Sequence, residues 1–448
     1  MPLYAFGSNS SGQLGIGHVE DTCIPTRCLF ESIERDARCE QPRGREDEQS
    51  SSSSGGGGGG GIVQIATGGN HTLLRCRNGE VYAAGFNGDG RIDGCCNPSP
   101  DTTDTSTTAG CAERQREEDL GVTLRFRRVV VVEGHRTWDR FALVSATWEG
   151  TFLVPTWTSP SLVFVLGSGS KGELGLGPNV HLCRCPVRIP DFPPLSLSSS
   201  SSSSLSPSSP PPAATIVAIA SSMAHTVVVV GNGDVYGWGA SRKGQLGSAL
   251  RDKKIIWSPA KLDEVPFRAT DVACGREFTV VCGDKQKGEF VIFGSPDNRW
   301  GLLSHVPLPL LSTPSPSPAP TLKSALVGPF QLPGGYCSIL TSWNGVYVHR
   351  NDSSVVAWGR DDRGQLLPAS LQGAPLKAIA VGSEHGLALL DDGTTVVAFG
   401  WGEHGNCGPE TDQRGDVKGR YNAVSVPLQR EKIIGIAGGC ATSWIITS

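Results

Sequence analysis

Short apolar runs, each about as long as one strand, recur along the chain in a fixed order with glycine between them. The clearest copy spans Ile62 to Gly90. The β-rich run Ile62–Thr67 is followed by Gly68-Gly69, His71 and a second run, Thr72 to Cys76. Asn78-Gly79 then reads as a hairpin turn, because both residues tolerate positive φ. A third run, Glu80 to Ala84, ends at Gly85 and enters a glycine-rich loop. The same order returns at Ile216 to Gly247, with His225, Asn232-Gly233 and Gly239, and at Ala378 to Gly408, with His385, Asp392-Gly393 and Gly400. Weaker copies run from Val129 to Gly177, Thr270 to Gly301 and Ala325 to Leu366.

The two ends of the chain share one unit. Leu3 to Gly7 and Ser11-Gly12-Gln13-Leu14-Gly15 begin in mid-unit, and Ile433 to Gly439 with Thr442 to Ile446 stop in mid-unit. Joined, they complete a copy, which is how a circular propeller removes its open edge. The strand-ending glycines are Gly7, Gly85, Gly167, Gly239, Gly294, Gly359 and Gly400. These observations predict an all-β fold: one seven-bladed β-propeller over residues 1–448, closed by pairing of its terminal strands. Pro25, Pro186 and Pro259 follow glycine loops and predict outermost strands, where one backbone edge needs no partner. Segments 30–61, 97–119, 195–215 and 303–321 are low-complexity insertions rich in Ser, Gly, Pro or charge. They cannot bury enough apolar surface to order themselves and are expected to be flexible loops.

Composition narrows the function. The 448 residues carry a formal net charge of −4, which argues against a general nucleic-acid binder. The fourteen cysteines show neither paired C-x-x-C units nor a recognisable leader beside them, so reduced thiols without zinc are expected. No apolar run is long enough to span a bilayer. His71, His225 and His385 occupy equivalent places in different units, which separates them around a ring and favours a structural role over a shared metal. Gly167-Ser168-Gly169 follows a strand, but no helix pattern follows it, so a phosphate loop is not indicated. Catalytic, cofactor and metal sites are all expected to be absent. The candidate partner-binding residues are Trp138, Asp139, Trp300, Trp401, Glu403 and His404, since Trp with neighbouring charge at loops is the usual chemistry of interface anchors.

Tyr4-Ala5-Phe6-Gly7-Ser8-Asn9 with Gly12 to Gly17, and their counterparts in the later units, resemble the regulator of chromosome condensation repeat. That family folds as a seven-bladed propeller. The first unit, MPLYAFGSNSSGQLGIGHVEDTCIPTRC, and IATGGNHTLLRCRNGEVYAAG look like the small fungal members called alpha-tubulin suppressor or killer-toxin-insensitivity proteins. That resemblance implies a cytoplasmic and nuclear, monomeric partner of a small zinc protein. It further implies a role in diphthamide synthesis and Elongator-dependent modification of tRNA wobble uridines, with a link to tubulin. The family also contains exchange factors for Ran-type GTPases and accessory factors in ubiquitin transfer. The first unit begins at once, so the basic tail that accompanies Ran exchange is not expected, and neither membrane nor direct nucleic-acid contact is expected.

Replacing 195–215 by a short Gly/Ser linker is expected to change stability by less than about 1 kcal/mol, because loop closure varies by only ~0.6 kcal/mol per doubling of length. Chemical denaturation checks this, and a loss of several kcal/mol would mean that the tract packs on the disc.

Overall fold

The computed structural model describes residues 2–31, 61–92, 117, 120–156, 158, 161–194, 215–295, 299–304, 306–307, 326–427 and 431–448. Apart from their margins, the four insertions lie outside the described residues. Seven antiparallel sheets form the blades, in keeping with the predicted propeller. Blade 1 contains β1 (Leu3–Gly7) and β2 (Thr22–Arg27) from one end of the chain and β28 (Ile433–Gly438) and β29 (Thr442–Thr447) from the other, in the order β2-β1-β29-β28. Leu3 pairs with Ile446 and Gly7 with Thr442, so the ring closes through main-chain hydrogen bonds.

Blade 2 is β3 (Ile62–Thr67), β4 (His71–Cys76), β5 (Val81–Phe86) and β6 (Val122–Arg128). A two-stranded ribbon, β7 (Val131–Glu133) and β8 (Arg136–Trp138), leads to blade 3: β9 (Phe141–Ala146), β10 (Gly150–Pro155), β11 (Phe164–Ser168) and β12 (Leu182–Arg188). Blade 4 is β13 (Ile216–Ser221), β14 (His225–Val230), β15 (Val235–Ala240) and β16 (Ile255–Lys261). Blade 5 is β17 (Asp271–Cys274), β18 (Phe278–Cys282), β19 (Glu289–Gly294) and β20 (Leu326–Gln331). Blade 6 has three strands, β21 (Tyr336–Thr341), β22 (Gly345–Arg350) and β23 (Val355–Gly359). Blade 7 is β24 (Leu376–Val381), β25 (His385–Leu390), β26 (Val396–Trp401) and β27 (Asp416–Val424). Two unit boundaries therefore move. Val129 to Trp138 is the ribbon between blades rather than the start of blade 3, and Leu326–Gln331 closes blade 5 rather than opening blade 6. Pro25, Pro186 and Pro259 all sit in outermost strands, as expected.

The repeated residues have local explanations. At six of the seven strand-ending glycines, Gly7, Gly85, Gly167, Gly239, Gly359 and Gly400, φ is positive. At Gly239 a Cβ would stand 2.3 Å from the carbonyl oxygen of Ala224. That carbonyl instead accepts the N–H of Ala240 at 2.7 Å, so only glycine fits. In the Gly-Gln-Leu loops, the Gln13, Gln245 and Gln365 side-chain oxygens accept the N–H groups of Ser11, Lys243 and Arg363. Leu14 and Leu246 of these loops, and Leu174 of the corresponding Gly-Glu-Leu-Gly loop, are buried in the seams between blades. Trp238 of blade 4 donates its indole N–H to the Glu173 carbonyl of blade 3 at 2.8 Å and packs on Phe152 at 5.7 Å. An aromatic contact of this kind adds about 1 kcal/mol beyond area burial.

The three repeated histidines fasten one blade to the next. Nε2 of His71, His225 and His385 lies 3.0, 3.0 and 2.9 Å from the hydroxyls of Thr151, Thr279 and Ser443 respectively. Each hydroxyl belongs to the following blade. Thr279 and Ser443 spend their own protons on the carbonyls of Gln245 and Asn406, so His225 and His385 must donate from Nε2–H. Their Nδ1 atoms are buried without a partner. Burial pulls His71 down to about 3 and His225 and His385 to about 4. Each of these histidine bonds runs from one blade to the next.

Because these folded-state values lie below the ordinary 6.5, the unfolded chain takes up protons first as pH falls. Stability is therefore whole above about pH 6.5 and is lost progressively towards pH 3 to 4, by about 2 kcal/mol per ring between pH 6.5 and 5. Urea unfolding from pH 7.5 to 5 should show this slope, and His225→Gln should flatten it by one ring's share; an unchanged slope would mean that the imidazole is not buried in its neutral form.

Candidate functional site

The antiparallel order places two sets of loops at each end of every blade. Turns between the first and second strands, and loops after the third strand, form one face of the disc. Turns between the second and third strands, with the connections to the next blade, form the other. Around the axis on the first face runs a belt of main-chain hydrogen bonds. Gly69 N–H donates to Trp148 O, Trp148 to Met223, Arg276 to Trp343, Trp343 to Ser383 and Ser383 to Gly439, at 2.9 to 3.2 Å. These residues lead into the second strands of successive blades, so the belt ties blade to blade where the first face meets the axis. Beneath it the first strands of all seven blades line a central cavity of about 410 Å³. Trp148 of blade 3 and Trp343 of blade 6 meet across its mouth with centroids 5.9 Å apart, and the Arg276 guanidinium lies 5.6 Å from the Trp343 ring.

Four of the six sequence-derived partner-binding candidates gather on this face. Trp300 follows the third strand of blade 5, with the Arg299 and Arg360 guanidinium carbons 4.4 and 5.0 Å from its ring centroid. Arg360 of blade 6 forks onto Asp362 at 2.6 and 3.0 Å and also holds Glu384 of blade 7. Arg363 lies 5.7 Å from the Trp401 ring. Trp401 donates its indole N–H to Glu403 at 3.1 Å and meets His404 edge-on at 5.3 Å. His404 Nδ1 is 2.8 Å from Asp21 of blade 1. The result is one connected strip, Trp300–Arg360–Arg363–Trp401–His404–Asp21, crossing four blades. The Arg360 guanidinium holds the Asp362 carboxyl at about 2, while burial raises that of Glu384.

Trp138 and Asp139 do not join it. They lie towards the opposite face, where Phe141 N–H bonds the carbonyl of the turn residue Gly79. Trp138 is 5% exposed, packed on Phe164 at 5.8 Å and capped by Arg136. It fills the ribbon's core and cannot serve as a solvent-facing anchor. Asp139 pairs with Arg128 and Arg140 at 2.7 and 3.1 Å.

Trp148 and Trp343 were missed by the sequence reading. The available signal was their place two residues before the slot of His71, His225 and His385, where other units carry small residues such as Gly69 and Ser383. Among the described residues no three His, Cys, Asp or Glu side chains converge as metal ligands would. Nor is there a helix long and apolar enough to cross a membrane. Cys185 is disulfide-bonded, which departs from the expectation that all thiols are reduced.

Comparison with known proteins agrees with this architecture. Residues 2–36 and 232–282 match one model of the regulator of chromosome condensation (RCC1) repeat, and residues 62–91 and 216–245 match a second. An RCC1 repeat-containing protein of Schizosaccharomyces pombe is 25% identical over 99% of this chain and 98% of its own length. The mouse secretion-regulating guanine nucleotide exchange factor is 22% identical over 98% of this chain and 82% of its own. Among solved structures, human WBSCR16 superposes over the whole of both chains at a TM-score of 0.65 and 16% identity. Prp20p of Saccharomyces cerevisiae, which binds Gsp1p and histones, does so over 100% of this chain and 91% of its own, at a TM-score of 0.61 and 17% identity. The repeat matches, the full-length relative and the closed ring of seven blades together show a seven-bladed propeller that carries regulator of chromosome condensation repeats at residues 2–36, 62–91 and 216–282.

Proposed function

We propose that this propeller is a non-enzymatic scaffold that binds a protein partner through the face carrying Trp300, Arg360, Arg363, Trp401, Glu403 and His404. The connected aromatic and guanidinium strip carries this reading. Trp and Arg are the side chains most enriched at binding hot spots. Here their ion pairs and ring contacts hold them in place before a partner arrives, which lowers the entropy lost on binding. The strip spans four blades joined by main-chain and side-chain bonds, so it presents fixed geometry.

The finer reading takes the partner to be a small zinc protein, in support of diphthamide synthesis and Elongator-dependent tRNA modification, with a cytoplasmic and nuclear site of action and a tubulin link. It rests on the resemblance of the first and second units to the fungal tubulin-suppressor group. A second reading, guanine-nucleotide exchange on a Ran-type GTPase, is favoured by the mouse exchange factor's likeness over nearly the whole chain and by the shared fold of Prp20p.

Titration calorimetry with the host's zinc partner, beside a nucleotide-release assay on its Ran-type GTPase, separates the two. The first reading expects binding to the zinc protein, weakened by about 2 kcal/mol or more in Trp401→Ala, and no release above background. Fast release without zinc-protein binding would replace it with the second.

A further inference from the structure

A different part of the same face carries a cluster of cations that form no ion pair among the described residues. The loop after the third strand of blade 4 holds Arg242, Lys243, Arg251, Lys253 and Lys254, and the neighbouring loop of blade 3 adds Lys171. These are one surface. Ser241 N–H bonds the Lys254 carbonyl at 2.8 Å, and Lys254 N–H that of Arg251 at 3.1 Å. A Cβ on Gly172, the residue after Lys171, would lie 2.8 Å from the Ile256 carbonyl. Five of the six cations are exposed and Arg251 is half-buried. None of them forms an ion pair among the described residues. Asp252 is the one acidic residue within the blade 4 loop. Elsewhere on this face three arginines are matched within the fold: Arg91 by Asp89, Arg360 by Asp362 and Glu384, and Arg363 by Asp416.

We infer that the Lys171–Arg242–Lys243–Arg251–Lys253–Lys254 patch docks an acidic peptide segment of a protein partner. Six like charges crowded onto two touching loops repel one another, a cost that a run of carboxylates would relieve on binding. Such a patch does not follow from composition, since the whole chain is at −4. Trp257, half-buried and 5.6 Å from the exposed His181 ring, lies beside it and offers an apolar contact within a charged surround. The patch is two loops wide and is flanked on the same face by the exposed Glu149. A long polyphosphate backbone would run from the cations onto this acid, whereas a short acidic segment fits within them. The patch is separate from the Trp300–Trp401 strip, so this inference does not rest on the reading above.

The test is fluorescence anisotropy of the full chain with a labelled peptide of about twelve mostly Asp and Glu residues, beside a single-stranded oligonucleotide of equal formal charge. The variant combines Arg242→Ser, Lys243→Ser, Lys253→Ser and Lys254→Asn; Asn suits the left-handed φ of 64° at that position. The native chain should bind the peptide more tightly than the oligonucleotide, with affinity falling as salt rises. The variant should bind the peptide at least about tenfold more weakly and melt no lower than the native chain. Trp401→Ala should bind the peptide as the native chain does, so a failure of the strip and a failure of the patch read differently. Lys253→Glu alone, a single surface change, should weaken the peptide in the same direction if the fourfold variant does not fold. Absence of peptide binding at low salt, equal binding by native and variant chains, or tighter binding of the oligonucleotide would each overturn the inference.

Discussion

A strand at the edge of a sheet exposes a row of unpaired N–H and C=O groups, and a ring of sheets is secure only if the chain's two ends cover each other. Here that cover is β1 on β29, from Leu3 opposite Ile446 to Gly7 opposite Thr442. The contact joins residues from opposite ends of the sequence, so it cannot form until the other blades bring those ends together. Once it forms, each blade packs on two neighbours, and the seams fill with apolar side chains from both sides. The His-to-hydroxyl bonds and the belt of main-chain bonds around the axis depend on that packing, because each needs the next blade at a fixed distance.

Closure also explains why the candidate binding strip is stiff. Trp300, Arg360, Trp401 and Asp21 come from loops of four successive blades, the last of them across the closing seam. His404 and Asp21 meet there at 2.8 Å, alongside the main-chain pairing that joins the termini. In an open arc of blades the two would have no reason to meet. The strip is thus a product of the ring, although each blade supplies its members from a single connection.

The charges on this face fall into two kinds. Around Trp300 and Trp401, guanidinium and carboxylate groups are matched inside the protein and serve to position aromatic rings. Over blade 4 the cations are unmatched and point to a charge brought from outside. The first kind offers shape and an apolar surface with satisfied polar edges, and the second offers long-range attraction that salt would screen. A partner that used both would be steered by one region and held by the other.

The repeat, the blade number and the closing unit are legible in the sequence. These rest on short-range chemistry: Gly239 is required by a positive φ and a carbonyl that leaves no room for Cβ, and Asn-Gly turns and the Gly-Gln-Leu-Gly loops satisfy their own backbone. It also placed His71, His225 and His385 in one structural slot. Where spacing was irregular it misjudged limits, reading Val129 to Trp138 as part of a blade and assigning Leu326–Gln331 to the wrong one, because strand propensity does not say which sheet a strand will join. Burial and convergence were decided only by the tertiary structure. Trp138 and Trp401 look alike as aromatic residues beside an acid, yet the ribbon covers the first and a blade face exposes part of the second. Trp148 and Trp343, far apart in sequence, meet over the axis because curvature brings blades 3 and 6 across from each other, a distance set by the packing of all seven blades.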